Sequence, residues 1–128
     1  MLCRDIFQSA LRLLSPHRDV WEAPGDYEDR ASYFLSLLFS ETAEIDKMYR
    51  RANGLGQQPA FNPNCSQMTK DFPLCDRFAS TAAFYLAAML ILDENSELSD
   101  TFYDKYCNSI SAIVESIPAE ISKTTNVY

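Results

Sequence analysis

Glycine, histidine and positive charge are scarce in this chain. Its 128 residues include 3 Gly and 1 His. An all-β protein with many tight turns needs more turn-forming residues, so the composition favours helices. The histidine, His17, lies beside Pro16 with no second histidine or suitably spaced cysteine nearby. This isolation argues against a zinc site and against a Cys–His catalytic pair, and it favours a surface histidine.

The shortage of positive charge disfavours general nucleic-acid binding. The chain has 18 acidic and 11 basic residues, giving a net charge of -7, which repels phosphate backbones. Basic residues cluster only in residues 12–18 and at Lys47, Arg50 and Arg51. We interpret both clusters as solvated helix ends stabilised by the helix dipole, the alternative being a local nucleic-acid site.

The 4 cysteines, Cys3, Cys65, Cys75 and Cys107, form no C-x-x-C pair. Met1 leads into Cys3 and Arg4 without a basic start followed by an apolar run, so we expect no signal peptide. These features predict free thiols in a reducing cytoplasm. A Cys65–Cys75 disulfide stays open as an alternative.

One long apolar run is present, from Ala79 to Leu92, and it contains no charged residue. It is too short to span a bilayer, which needs roughly 20 apolar residues. We therefore predict a central buried helix, ended by the acidic turn at Asp93 and Glu94, and no membrane insertion.

Helical periodicity predicts four helices. The first runs from Leu2 to Leu14, and the second from an N-cap at Asp26 to the Asn53-Gly54 stop. The third begins near residues 74–76 and the fourth near residues 96–97, ending before Pro118. The predicted fold is all-α, a small bundle of about four helices with a long irregular loop between helices 2 and 3 and an extended C-terminal tail. Residues 1–128 form a single helical domain, divided into N-terminal helices (1–52), loop (53–73), C-terminal helical hairpin (74–117) and tail (118–128).

The loop and the tail are the candidate partner-docking segments. The loop is longer than an ordinary helix connection, so we expect it to be disordered or ordered by a partner, or partly paired as a short hairpin. Phe61 and Phe72 are its apolar anchors, and each is suited either to pack on the core or to dock against a partner. Val127 and Tyr128 form the apolar end of the tail.

No catalytic or metal-binding motif is evident. The acidic residues from Asp93 to Asp104 are interpreted as helix-start acids and a solvated face, the alternative being a divalent-cation site or an acid–base pair. Tyr85, Tyr103 and Tyr106 are interpreted as core packing with hydroxyls at the rim, the alternative being an aromatic ligand pocket. We therefore expect no catalytic, cofactor-binding or metal-binding residues, and no cofactor.

The C-terminal half resembles the head–tail connector (adaptor) proteins of tailed bacteriophages and prophages. The resemblance rests on residues 71–76 (DFPLCD), the Ala-rich residues 82–90 (AAFYLAAML), the acidic turn at 93–97 (DENSE) and residues 102–106 (FYDKY). The N-terminal half agrees in layout: a short helix, a connection, then a long helix built around residues 26–31 (DYEDRA).

The resemblance implies a structural virion assembly protein without enzymatic activity. Such a subunit forms a homo-oligomeric ring that joins portal to tail proteins and lets DNA pass without sequence recognition. It would be assembled in the bacterial host cytoplasm and end in the virion. Two alternatives stay open: a cytoplasmic helical protein–protein interaction module or regulator, and a small enzyme or ligand-binding bundle that uses the acidic residues with Tyr85 or Tyr103.

Overall fold

The computed structural model describes residues 1–17, 24–60 and 68–118. These residues form α1 (Cys3–Leu14), α2 (Pro24–Ala52), a short 3₁₀ helix (Asp76–Phe78) that leads into α3 (Ala79–Ile91), and α4 (Ser96–Ser116). The described residues contain no extended strand, only an isolated antiparallel bridge between Leu2 and Asp71. The predicted all-α bundle of four helices is confirmed.

The centre of the bundle is α3, which packs against α1, α2 and α4. Its buried residues face all three neighbours, and Leu86, Ala87 and Ala88 have 0% exposure. Small alanine side chains let neighbouring helices approach closely, while Leu86, Leu90 and Ile91 supply apolar area that stabilises the fold on burial. The central position predicted for the run from Ala79 to Leu92 is confirmed, although Ser80 and Leu92 at its ends are exposed.

Hydroxyl groups fix the packing of α4 on α3. The Ser99 hydroxyl donates to the Ala88 carbonyl oxygen at 2.8 Å, and the hydroxyls of Thr81 and Ser109 bond to each other. Because these pairs join opposite ends of the two helices, α3 and α4 form an antiparallel hairpin. Asn95 caps α4 by accepting from the Leu98 N–H at 3.0 Å, so the predicted start of this helix is confirmed.

The long helix α2 has 29 residues and ends where the Asn53-Gly54 pair predicts. Gly54 adopts a φ of 66°, a left-handed conformation that favours glycine, and the Leu55 N–H donates to the Arg50 carbonyl at 2.9 Å. At the other end the helix begins at Pro24, two residues before the predicted cap at Asp26. Proline is tolerated in the first helical turn because the N–H it lacks has no intrahelical acceptor there.

The chain itself holds both described ends of the loop. At 68–72 the backbone pairs with the N-terminus: the Cys3 N–H donates to Lys70 O, the Arg4 N–H to Met68 O and the Phe72 N–H to Met1 O. At 53–60 the loop is held by side chains of α2. In the described parts of the loop, contacts within the chain therefore hold residues 53–60 and 68–73, and the strand-like pairing of residues 68–72 is with the N-terminus; residues 61–67 lie outside the described residues.

A buried carboxylate organises the contact between the end of α2 and the loop. Asp46, with 0% exposure, accepts hydrogen bonds from the Arg50 guanidinium, the Gln58 amide and the Cys75 N–H, each at 2.8 Å. Arg50 also donates to the carbonyls of Gly56, Gln57 and Pro73, at 3.1–3.3 Å. The Asp46 cluster (Asp46, Arg50, Gln58 and Cys75) thus ties the end of α2 to both ends of the loop.

Candidate interaction surface

Tyrosine side chains from α3 and α4 meet beside α2. The ring centroids of Tyr85 and Tyr106 lie 5.0 Å apart, and those of Tyr103 and Tyr106 lie 5.5 Å apart, both in tilted arrangements. Tyr85 and Tyr106 are buried, whereas Tyr103 is 41% exposed. The group therefore has a buried floor and an accessible edge.

The other side of this group is supplied by α2. Tyr33, Leu37 and Glu41 follow one another at intervals of four residues and so share one side of the helix. All three are exposed, Tyr33 at 63% and Leu37 at 39%. The Tyr33 ring rests against Phe34 with centroids 5.7 Å apart, which orients it at the surface.

The electrostatic environment of the buried tyrosines includes groups of α2. Burial, followed by the Glu41 carboxylate and the Tyr103 and Tyr33 hydroxyls, raises the pKa of Tyr85 to about 12. Burial, Glu41 and the neighbouring tyrosines also raise the pKa of Tyr106. We call the set Tyr33, Leu37, Glu41, Tyr85, Tyr103 and Tyr106 the tyrosine face.

Burial governs the protonation of the two buried hydroxyls of the tyrosine face. The hydroxyls of Tyr85 and Tyr106 stay protonated over the physiological range because burial raises the pKa of both, so neither buried tyrosine supplies a phenolate base near neutral pH. The predicted core role of Tyr85 and Tyr106 agrees with their burial. The exposure of Tyr103 gives the group an accessible edge that spacing along α4 alone does not reveal.

The predicted docking residues lie elsewhere. Phe72 is 7% exposed and packs edge-on against Phe39, with ring centroids 5.7 Å apart. Its ring therefore anchors the loop to the core, which was one of its two expected roles, and is not accessible to a partner in this arrangement. Phe61, Val127 and Tyr128 lie outside the described residues.

Potential nucleophiles and metal ligands are dispersed. Among residues 1–17, 24–60 and 68–118, no group of three or more His, Cys, Asp and Glu side chains is arranged to hold a metal ion. His17 is exposed, and its ring lies edge-on to Phe102 with centroids 6.4 Å apart. Cys3 is buried, Cys75 is a buried free thiol and Cys107 is an exposed free thiol, while Cys65, the other half of the alternative disulfide, lies outside the described residues.

The Asp46 cluster is the feature that sequence reasoning missed. The sequence predicts that Arg50 lies at a solvated helix end, but its side chain is only 16% exposed and pairs with the buried Asp46. Burial and the adjacent Asp46 carboxylate raise the pKa of Cys75 to about 11, which makes this thiol a poor nucleophile. The position of Asp46 along the helix is the feature that could have indicated its burial. It lies four residues after the buried Thr42 and four before Arg50, on the core side of α2.

No described helix is both long enough and apolar enough to cross a membrane. No protein-family model, curated protein or solved structure matches the chain. The resemblance to phage connectors therefore stays a prediction.

Proposed function

We propose that the chain is a non-catalytic structural subunit that assembles with other proteins through its tyrosine face. The observation that carries this proposal is the exposure of Tyr33, Leu37 and Tyr103 on two helices beside a buried tyrosine floor. Tyrosine is enriched at protein interfaces because it offers a large contact area and a hydroxyl while it loses little conformational entropy on binding.

The bundle presents this face on a rigid support. The floor is formed by Tyr85 of the central helix α3 and Tyr106 of α4, and the Asp46 cluster fixes the far end of α2. A surface that is already ordered before binding loses less conformational freedom when a partner docks. Rigidity of this kind suits a repeated structural subunit.

The proposed setting is the head–tail connector of a tailed phage. There the chain would form a homo-oligomeric ring between portal and tail proteins, assembled in the host cytoplasm and retained in the virion, with DNA passing through. The sequence resemblance supports this setting, and so does the net charge of -7, because a conduit gains nothing from binding phosphates tightly.

Light scattering during size-exclusion chromatography tests the proposal. The wild-type chain is expected to elute as a multiple of its 14.6 kDa mass, and Leu37→Asp as a monomer. Leu55→Asp is the matched control, because Leu55 is 48% exposed and lies beyond the end of α2. A wild-type chain that stays monomeric up to millimolar concentration would rule out self-assembly into a ring.

A monomeric result would favour the second candidate, a helical protein–protein interaction module. A groove of about 380 Å³ between α1 and α3 supports that alternative. Ile6, Leu13, Ala83 and Phe84 line it, and Asp5 and Arg12 lie at its edges. Grooves of this composition accept the apolar side of a partner helix.

A further inference from the structure

The helix α4 has a second apolar stripe beside the one that packs on α3. Its buried residues are Ser99, Phe102, Tyr106 and Ile113. Residues one position apart on an α-helix are rotated by about 100°, so a set shifted along the sequence lies to one side of the buried stripe. The members of this second set follow one another at intervals of four, three, four and three residues, and we call them the α4 seam: Tyr103, Cys107, Ile110, Val114 and Ile117.

The α4 seam is accessible over much of its length. Val114 is 45% exposed and Tyr103 is 41% exposed, and the Cys107 thiol is exposed as well. Ile110 and Ile117 are half-buried. Because removal of apolar surface from water favours association, a stripe of this kind is a surface that another helix can cover.

The spacing of the α4 seam fits a second helix with the same spacing. Apolar residues that alternate at intervals of three and four repeat every 3.5 residues, which is the repeat of left-handed coiled coils. The seam covers 15 residues, about two heptads, which is fewer than an isolated coiled coil needs. Pairing through the seam is therefore weak by itself and needs further contact area beside it.

The distribution of charge favours a second copy of the chain as the partner. With a net charge of -7, two copies repel each other unless they meet where acidic side chains are absent. Residues 106–114 contain no charged residue. The acids of α4 lie mostly toward its beginning, at Glu97, Asp100 and Asp104. Parallel pairing would place these acids beside the same acids of the other copy, whereas antiparallel pairing separates them.

We propose that α4 packs antiparallel on α4 of a second copy through the α4 seam, with Tyr103 facing Val114 of that copy and Cys107 facing its Ile110. The inference rests on the function proposed above, because this register brings the tyrosine face, to which Tyr103 belongs, into the same contact and so supplies the further area. The pair has two-fold symmetry and is closed, so a ring would be built from such pairs.

Sedimentation equilibrium of the full chain measures the pairing. We expect a monomer with an accessible Cys107 thiol when the chain is dilute, and a dimer at millimolar concentration. Val114→Glu should weaken dimerisation by at least about tenfold, because it introduces a charge into an apolar contact on both copies. Ala112→Glu is the matched control, since Ala112 is exposed on the same helix outside the seam, and it should leave dimerisation within about twofold of wild type. Equal weakening by both variants, or a wild-type chain that is monomeric at millimolar concentration, would overturn the proposal.

A double variant tests the antiparallel register. Tyr103→Lys and Val114→Glu should each weaken dimerisation, whereas the chain that carries both substitutions should dimerise about fivefold more tightly than either single variant, because opposite charges then face each other twice across the pair. Within one chain the two positions lie about 16 Å apart along the helix and cannot pair with each other. A double variant no tighter than the single variants would overturn the proposed register and the proposal with it.

The outcome is separable from that of the proposed function. Dissociation by Leu37→Asp but not by Val114→Glu would retain the tyrosine face as the assembly surface and reject the pairing of α4. Dissociation by Val114→Glu but not by Leu37→Asp would retain the pairing of α4 and reject the tyrosine face as the assembly surface.

Discussion

Replacement of Asp46 by asparagine removes the charge at the centre of the Asp46 cluster. The carboxylate accepts three hydrogen bonds at 2.8 Å and has 0% exposure, and its partner Arg50 is itself only 16% exposed. Asparagine keeps one acceptor oxygen but turns an NH₂ group toward donors, so the guanidinium loses its counter-charge. Breaking a buried pair in this way costs about 3–5 kcal/mol, out of a total stability of roughly 5–15 kcal/mol.

Thermal unfolding measures this loss. For 128 residues the unfolding entropy is about 0.27 kcal/mol/K, so we expect the Tm of Asp46→Asn to fall by about 11–19 °C. Glu44→Gln is the control, since Glu44 lies on the same helix in an exposed pair with Lys47. Its free energy of unfolding should stay within about 0.5 kcal/mol of wild type.

The pH dependence tests the same reasoning independently. Burial alone would raise the pKa of Asp46, but the hydrogen bonds from Cys75, Gln58 and Arg50 outweigh it, and the pKa lies below its ordinary 3.8. A lowered pKa contributes stability above the unfolded-state pKa, and that stability is lost as pH falls through the folded-state value. The difference in the free energy of unfolding between wild type and Asp46→Asn should therefore become smaller below about pH 4. A loss under about 1 kcal/mol near neutral pH, or a difference that does not become smaller in acid, would refute the proposed role of the cluster.

Three further results are expected. Ala87→Glu should unfold the domain, as measured by circular dichroism, because it buries an unpaired charge at a position with 0% exposure. The control Ala112→Glu, on the exposed side of α4, should stay folded. A folded, soluble Ala87→Glu would contradict the central position of α3. Cys107 should react quickly with a thiol reagent and the buried Cys75, whose pKa is raised to about 11, only on unfolding; equal labelling by mass spectrometry would contradict that environment. Tyr85, with its pKa raised to about 12, should ionise later than an ordinary tyrosine, and a ring signal that titrates near pH 10 in NMR would be inconsistent with its burial.

The helices could be predicted from the sequence because their signals are local. Hydrophobic spacing defined α1 and α4, the uncharged run identified α3, and Gly54 and Asn95 mark ends that depend only on nearby backbone geometry. The long loop was harder, because its composition suggests disorder while its described ends are held by residues distant in the sequence. Asp46 lies 29 residues from Cys75, and Met1 is distant in sequence from Phe72.

The candidate surface could be predicted only in part for the same reason. The spacing of Tyr103 and Tyr106 along α4 indicates neighbouring aromatic rings, and their core role follows from periodicity. The position of Tyr33 and Glu41 relative to these rings depends on how α2 packs beside α3 and α4, which no local pattern in the sequence encodes. Phe72 was expected either at the core or at a partner, and the packing against Phe39 selects the core.

Hydroxyl-radical footprinting at micromolar and millimolar concentration tests most directly whether the tyrosine face is the assembly surface. The method reports the solvent accessibility of individual side chains, so it locates the contact as well as detecting it. We expect Tyr33 and Tyr103 to be labelled in the dilute chain and protected in the concentrated one, while the exposed Leu55 is labelled equally in both. Equal labelling of Tyr33 and Tyr103 at the two concentrations, or protection confined to the groove between α1 and α3, would contradict the account.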